Sequence, residues 1–207
     1  GTEDNRVRKL DYSIQISKIF YERFIKNAEI TLFSPNHVPG LYEAFGMPEF
    51  DDMYLKYEKD KSIPKQTIGA QELFQALLKE RAETGRIYIM NLDHCNTHSS
   101  FKDKVYMSNL CQEITLPTTP VQHIDDKEGE IALCILSAVN LGLLTDMDEL
   151  EELCDLSVRA LDEIIDYQEY PVEAAKISAQ SRRSLGIGYI GLAHYLAKNQ
   201  VKYEDKK

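Results

Sequence analysis

The sequence predicts an α/β fold, and three observations carry that expectation. An amphipathic stretch over 66–83 is stopped by Gly85 and followed at once by an Ile- and Tyr-rich run at 86–90. Helix, tight glycine turn and strand in succession mark elements that alternate around a sheet. A long apolar run, 131–140, precedes the clearest helical pattern of the chain, 148–166. After Tyr170-Pro171 the alternation repeats, with a helix over 172–180, a short strand over 182–189 and the opening of another helix over 191–198.

Taken in order, residues 9–26 read as a helix, because Tyr12, Ile16, Ile19, Phe20 and Phe24 recur at three- and four-residue spacing. Residues 33–48 hold Pro35, Pro39, Gly40, Gly46 and Pro48, so a loop is expected, with at most a short helix around 41–45. An acidic, Tyr-rich amphipathic stretch over 49–60 reads as a surface helix with a solvated charged face. Over 66–83, Ala70, Leu73, Phe74, Leu77 and Leu78 line one side of a helix. Residues 91–101 are polar and irregular, and an extended segment follows at 108–114, ended by Pro117 and Pro120. Residues 121–130 read as a polar turn region. The run 131–140 carries few charges and reads as a buried strand, although periodicity alone does not separate it from a helix. Over 148–166, Leu150, Leu153, Cys154, Ser157, Leu161, Ile164 and Ile165 share a face, and acids fill the first turn, where the helix dipole favours them. Cys154 on that stripe reads as a small core residue.

The chain has 207 residues, 43% hydrophobic and 28% charged, enough for one domain with a sizeable core. The formal net charge is −10 and no basic block occurs, which argues against a nucleic-acid surface. The first residues are polar, so no signal peptide is expected. The longest apolar run, 131–144, is too short to span a bilayer and contains Ser137 and Asn140, so a soluble protein is expected. Four cysteines, at 95, 111, 134 and 154, form no C-x-x-C pair. That is neither a disulfide framework nor a zinc ribbon, and it suits a reducing, cytoplasmic compartment.

The chemistry-bearing stretch is Ser-Asn-Leu-Cys-Gln-Glu-Ile, 108–114. In an extended segment successive side chains alternate, so Asn109, Cys111 and Glu113 fall on one face within about 7 Å along the chain. An amide, a thiol and a carboxylate then stand together: a hydrogen-bonding group, a redox group and a proton acceptor. By spacing alone such a pattern also describes an ordinary edge strand facing water. Two other patterns compete. Gly186-Ile-Gly188-Tyr-Ile-Gly191 matches G-x-G-x-x-G, but Ser-Arg-Arg precedes it and the sequence runs only 16 residues past Gly191, where a dinucleotide fingerprint needs an acid about 20 residues on. Tight strand–helix packing accounts for those glycines better than a nicotinamide site. Asp93, His94, Cys95 and His98 fit no common zinc spacing, so a hydrogen-bonded loop is preferred to a metal site. His37, His123 and His194 stand alone and support no hydrolase triad.

Longer words surround Cys111. They are Thr-Gly-Arg-Ile-Tyr-Ile-Met-Asn (84–91), Asp-His-Cys-Asn-Thr-His (93–98) and Gly-Glu-Ile-Ala-Leu-Cys-Ile-Leu-Ser-Ala-Val-Asn-Leu-Gly (129–142). In this order, and from Gly-Thr-Glu-Asp-Asn-Arg-Val-Arg (1–8) to Tyr-Leu-Ala-Lys (195–198), the chain closely resembles the large catalytic subunits of class I ribonucleotide reductases. The resemblance implies the middle portion of a ten-stranded α/β barrel, with helices outside and Cys111 on a finger loop reaching into the barrel. It implies one partial catalytic domain over 1–207, with the ATP-binding region, the effector-specificity loops and the C-terminal part of the family outside this sequence. The implied activity is reduction of ribonucleoside diphosphates to their deoxy forms, supplying DNA precursors. Cys111 resembles the thiyl site that takes the 3′ hydrogen, Glu113 the base on the 3′ hydroxyl, and Asn109 the amide that holds the hydroxyls. Residues Asn109, Leu110, Cys111, Gln112 and Glu113 are then the substrate-binding loop. Cys134 resembles the cysteine that ends each turnover in a disulfide, with its partner cysteine outside this chain. The implied partners are a metal-bearing small subunit that generates the radical, the rest of the large subunit in a dimeric enzyme, and thioredoxin or glutaredoxin as external dithiol. No metal is expected in this chain itself. A catalytically silent assembly piece of a split enzyme is the alternative, and a partial barrel with open sheet edges is expected to need a companion chain.

Overall fold

The computed structural model describes residues 10–205. Residues 1–9, which include the first stretch of the resemblance and the start of the predicted 9–26 helix, lie outside the described residues, as do 206 and 207. The chain forms two compact units, residues 1–117 and 118–207.

The first unit opens with β1 (Tyr12–Ile16) and α1 (Lys18–Ile25), where a single helix is predicted. The stretch Tyr-Ser-Ile-Gln-Ile satisfies both apolar periods, and parallel pairing with β4 (Ile87–Asn91) decides for the strand. Ser17, in extended conformation, separates strand from helix. Next come β2 (Glu29–Phe33), the short helix α2 (Leu41–Ala44) in the predicted loop, and α3 (Phe50–Lys59). The predicted 66–83 helix also divides. Its first residues form β3 (Lys65–Gly69), antiparallel to β2 with Ile68 opposite Ile30, and α4 (Ala70–Thr84) begins after it. Gly85, at φ +66°, ends α4 as predicted. The 91–101 stretch, predicted irregular, contains a short helix, α5 (Leu92–Thr97).

The core of this unit gathers Ile16, Ile19 and Phe20 with Ile30, Leu41, Phe50, Tyr54 and Ala70. Phe20, Tyr21 and Phe24 pack against Phe74 of α4, with ring centroids 5.1–6.3 Å apart. One polar network crosses this core. The buried Tyr54 hydroxyl donates to the Thr31 carbonyl (2.8 Å) and accepts from the Thr31 N–H (2.7 Å). Arg23 grips Glu58 with two bonds of 2.7 and 2.6 Å, and the Thr31 hydroxyl donates to the same carboxylate at 2.6 Å. The Arg23 contact, aided by Thr31, holds the Glu58 carboxyl below its ordinary range against the opposing effect of burial.

The second unit holds β5 (Ile135–Asn140), α6 (Glu149–Tyr167), α7 (Glu173–Arg182), β6 (Leu185–Ile190) and α8 (Leu192–Lys198). β5 and β6 pair in parallel, from Ile135 opposite Leu185 to Asn140 opposite Ile190. β5 begins four residues later than the predicted strand and is half-buried rather than buried, with Leu136 outward. Alternate residues of β5 are exposed, and among the described residues β6 is its one strand neighbour. Ile165 and Leu161 of α6 and Ala174, Ala175 and Ala179 of α7 fill the interior. Arg182 pairs with Glu130 at 2.5 Å, and Arg183, at φ +49°, reaches Asp162 (2.6 Å) and Asp166 (3.0 Å) of α6.

Tyr54→Phe is expected to cost about 1–2 kcal/mol, because it removes both buried bonds to Thr31 and leaves the backbone groups of that residue unpaired. Denaturant unfolding checks this, and a change below about 0.5 kcal/mol would refute it. A carboxyl depressed by folding stabilises above its unfolded pKa, and that contribution disappears as pH falls through the lower folded value. The stability advantage of wild type over Glu58→Gln should therefore shrink between about pH 7 and pH 3. A constant difference over that range would show that Glu58 is not depressed.

Candidate active site

The predicted site loop hangs from the first unit by polar contacts. Val105 is fully buried, and the Asn96 side chain of α5 grips its backbone, accepting from its N–H (2.8 Å) and donating to its carbonyl (3.0 Å). One residue on, the Tyr106 carbonyl accepts from the Gln15 amide of β1 at 2.6 Å. Lys104 lies over the Tyr106 ring (4.5 Å) and donates to the Glu43 carbonyl, and burial lowers its pKa. Beyond the loop, Pro117 is fully buried.

Between these anchors, 108–114 is a tight turn, not the extended segment predicted. The Asn109 N–H donates to the Ile114 carbonyl (3.2 Å), and the Asn109 carbonyl accepts from the Gln112 N–H (3.2 Å). The Asn109 side chain then accepts from the Ile114 N–H at 3.0 Å. Gln112 adopts φ +65°, and its amide donates to the Ser13 hydroxyl of β1 at 2.6 Å. Asn109, Cys111 and Glu113 therefore do not share a face by strand alternation. The chain reverses on itself there, and all three are exposed, as is Leu110 at the tip. Competition from the Asn109 side chain for backbone hydrogen bonds is what turns an alternating pattern into a loop. Gln112 of the predicted substrate loop has its amide engaged with the scaffold.

Cys134 lies in the second unit, just before β5, and is half-buried. The Ile135 N–H donates to the Ser184 carbonyl (3.2 Å), which draws the cysteine toward β6. Burial pushes the Cys134 thiol up, and the same effect acts on Cys95, which packs beside Met90, Leu92 and Val105. All four cysteines are free thiols.

The competing patterns resolve structurally. Gly186 and Gly188 lie inside β6 rather than in a loop after it, which is not the strand–turn–helix geometry of a dinucleotide site. The 93–98 stretch lies in α5 up to Thr97, with His98 as the C-cap residue. Asp93 accepts from the Lys18 N–H, Asn96 holds Val105, and the His94 and His98 rings meet edge-on at 5.8 Å. Among the described residues no group of three or more His, Cys, Asp or Glu is placed to hold a metal ion. No helix among them is long and apolar enough to cross a membrane.

Sequence reading missed Ser13, Gln15 and Asn96. A signal for the first two existed, since Ser13 and Gln15 alternate with Tyr12, Ile14 and Ile16 and so form a polar face on a strand. The Asn96 grip carries no local signal.

A family profile for the ribonucleotide reductase barrel domain matches residues 1–207. The chain belongs to the ribonucleotide reductase barrel-domain family. It is 60% identical to the ribonucleoside-diphosphate reductase subunit alpha of Haemophilus influenzae over 99% of its own length. The ribonucleoside-diphosphate reductase 1 subunit alpha of Escherichia coli is 57% identical, and the ribonucleoside-diphosphate reductase subunit alpha of phage T4 43% identical, each over 99% of this chain. The chain spans only 28% of the length of each of these relatives. Its paired strands and packed helices fit a portion of the reductase α/β barrel, with Cys111 on a loop as the resemblance implies.

Asn109→Ala should speed amide hydrogen exchange at Ile114 about five- to tenfold, the equivalent of one lost side-chain hydrogen bond. Asn109→Asp, which keeps an acceptor oxygen, should not. Equal protection in wild type and Asn109→Ala would show that the side chain does not close the loop.

Proposed function

We propose that this chain is the portion of a ribonucleoside-diphosphate reductase catalytic subunit that carries the radical cysteine and one of the two reducing cysteines. The observation that supports it best is the placement of Cys111. Its thiol is exposed at the tip of a loop whose base is fixed to β1 and α5 by the Gln112, Gln15 and Asn96 side chains. A group that must meet one hydrogen atom of a sugar has to be both accessible and held in place.

In this reading the Cys111 thiyl takes the 3′ hydrogen of a ribonucleoside diphosphate and becomes a thiol. The Glu113 carboxylate accepts the 3′ hydroxyl proton, and Asn109 orients the hydroxyls. The 2′ hydroxyl leaves as water. Cys134 and a cysteine outside this chain together supply two electrons and two protons and join as a disulfide. Return of the hydrogen atom to the 3′ carbon restores the Cys111 thiyl. The net change is one hydroxyl replaced by hydrogen, one water formed and one dithiol oxidised. A separate metal-bearing small subunit is the proposed radical source. An external dithiol of the thioredoxin or glutaredoxin kind re-reduces the disulfide, in a reducing, cytoplasmic compartment. The rest of the barrel is the companion this chain needs, in one partial catalytic domain of a dimeric enzyme.

The test is nucleoside diphosphate reduction by this chain combined with segments supplying the rest of the large subunit, the small subunit and a dithiol. Wild type should turn over, whereas Cys111→Ala and Cys134→Ala should each lose more than about a thousandfold, as expected when a group that does the chemistry is removed. Turnover retained in Cys111→Ala would overturn the assignment. Association of the segments without turnover in wild type would leave a catalytically silent assembly piece.

A further inference from the structure

The glycine-rich run at 186–191 takes no part in the proposed chemistry, and its three glycines stand in three different situations. Gly191 has φ +74°, and a Cβ there would lie 2.5 Å from the Asn140 side-chain oxygen. Gly188 has nothing within 4 Å of where a Cβ would stand. Gly186 is not among the positive-φ glycines, so its backbone would accept any residue. Yet a Cβ at Gly186 would lie 2.5 Å from the end of the Leu136 side chain and 3.0 Å from the Cys134 sulfur.

The two contacts differ in how easily they relax. Leu136 is 64% exposed, so its tip can swing into solvent. The Cys134 sulfur is one bond from its own Cβ, and the backbone beside it is held by the Ile135–Ser184 hydrogen bond at 3.2 Å. It can yield only by leaving its rotamer. We propose that Gly186 is a positioning residue for Cys134: the missing side chain on β6 is the seat of the thiol and fixes the direction in which the sulfur is presented. For its consequence in turnover this rests on the proposed redox role of Cys134. The packing relation itself does not.

The test compares Gly186→Ala with Gly188→Ala in the whole chain. Alkylation of Cys134 by iodoacetamide is followed by mass spectrometry, with Cys111 and Cys95 as internal references. Gly186→Ala should change the Cys134 rate about fivefold or more, because a thiol pushed from its seat changes its exposure, and Gly188→Ala should leave it unchanged. An unchanged rate in Gly186→Ala, or an equal change in both variants, would overturn the proposal. Should Gly186→Ala fold poorly, thermal unfolding decides. Its loss in Tm should fall by at least about half in a Cys134→Ala background, where the sulfur is gone. An equal loss in both backgrounds would show that the added methyl does not meet the thiol. Neither readout requires reductase turnover, so failure here and failure of the proposed function are separate results.

Discussion

Two side chains of β1, Ser13 and Gln15, hold the loop that carries Cys111. The loop has little apolar anchorage of its own, since Leu110 at its tip is exposed. Its conformation is also costly, because a left-handed backbone at a non-glycine residue such as Gln112 costs about 1–2 kcal/mol. A single neutral hydrogen bond returns about 0.5–1.5 kcal/mol, so the Gln112–Ser13 bond alone only offsets that cost. The surplus comes from closure at Asn109, whose backbone and side chain together take three bonds within the turn. The Gln15 and Asn96 bonds to Tyr106 and Val105 then fix where the turn starts. The geometry of Cys111 is thus set from β1 and α5, through polar contacts to the loop and the buried Val105 and Pro117 at its two ends.

The two cysteines assigned to chemistry sit in environments suited to different tasks. Cys111 is exposed, as a group that must reach a substrate has to be. Cys134 is half-buried, and burial raises its thiol pKa, which keeps the proton on sulfur at neutral pH. A thiolate attacks disulfides and electrophiles readily, whereas a protonated thiol is slow in such exchange. On the proposed reading this reserves Cys134 for oxidation by the substrate, in which it and the partner thiol give up two electrons and join as a disulfide, in place of unselective exchange with small thiols.

Helices such as α3, α6 and α7 were legible because one apolar period ran through each without competition, and Gly85 marked the end of α4 through its backbone alone. The strands β1 and β3 were not: β1 continues in register the apolar stripe of the helix it abuts, and β3, Lys-Gln-Thr-Ile-Gly, carries a single large apolar residue and no alternating pattern of its own. Ile16 belongs to the alternating set with Tyr12 and Ile14 and also to the helical set with Ile19 and Phe20. The partner that decides, β4 for β1 and β2 for β3, is a distant segment that no local window contains. The site divides in the same way. Residue types at 109–113 and 134 suggest the proposed chemistry through resemblance more than through spacing. The alternation invoked to bring Asn109, Cys111 and Glu113 together failed, because side-chain capping at Asn109 outweighed strand propensity over so few residues.

The apolar run at 131–140 shows why its expected burial was missed. Parallel strands usually have both faces covered, and their sequences are apolar throughout for that reason. β5 and β6 pair in parallel, yet Leu136, Tyr189 and Ile190 are exposed, and so are Ile131 and Leu133 just before β5. The sequence of this pair is therefore suited to two covered faces, while its own unit covers one. An uncovered apolar face beside unpaired strand edges is a liability in isolation. Gly186 and Cys134 meet on this same pair: a Cβ at Gly186 would stand 3.0 Å from the thiol sulfur, so the space beside the thiol is space that a side chain on β6 would take.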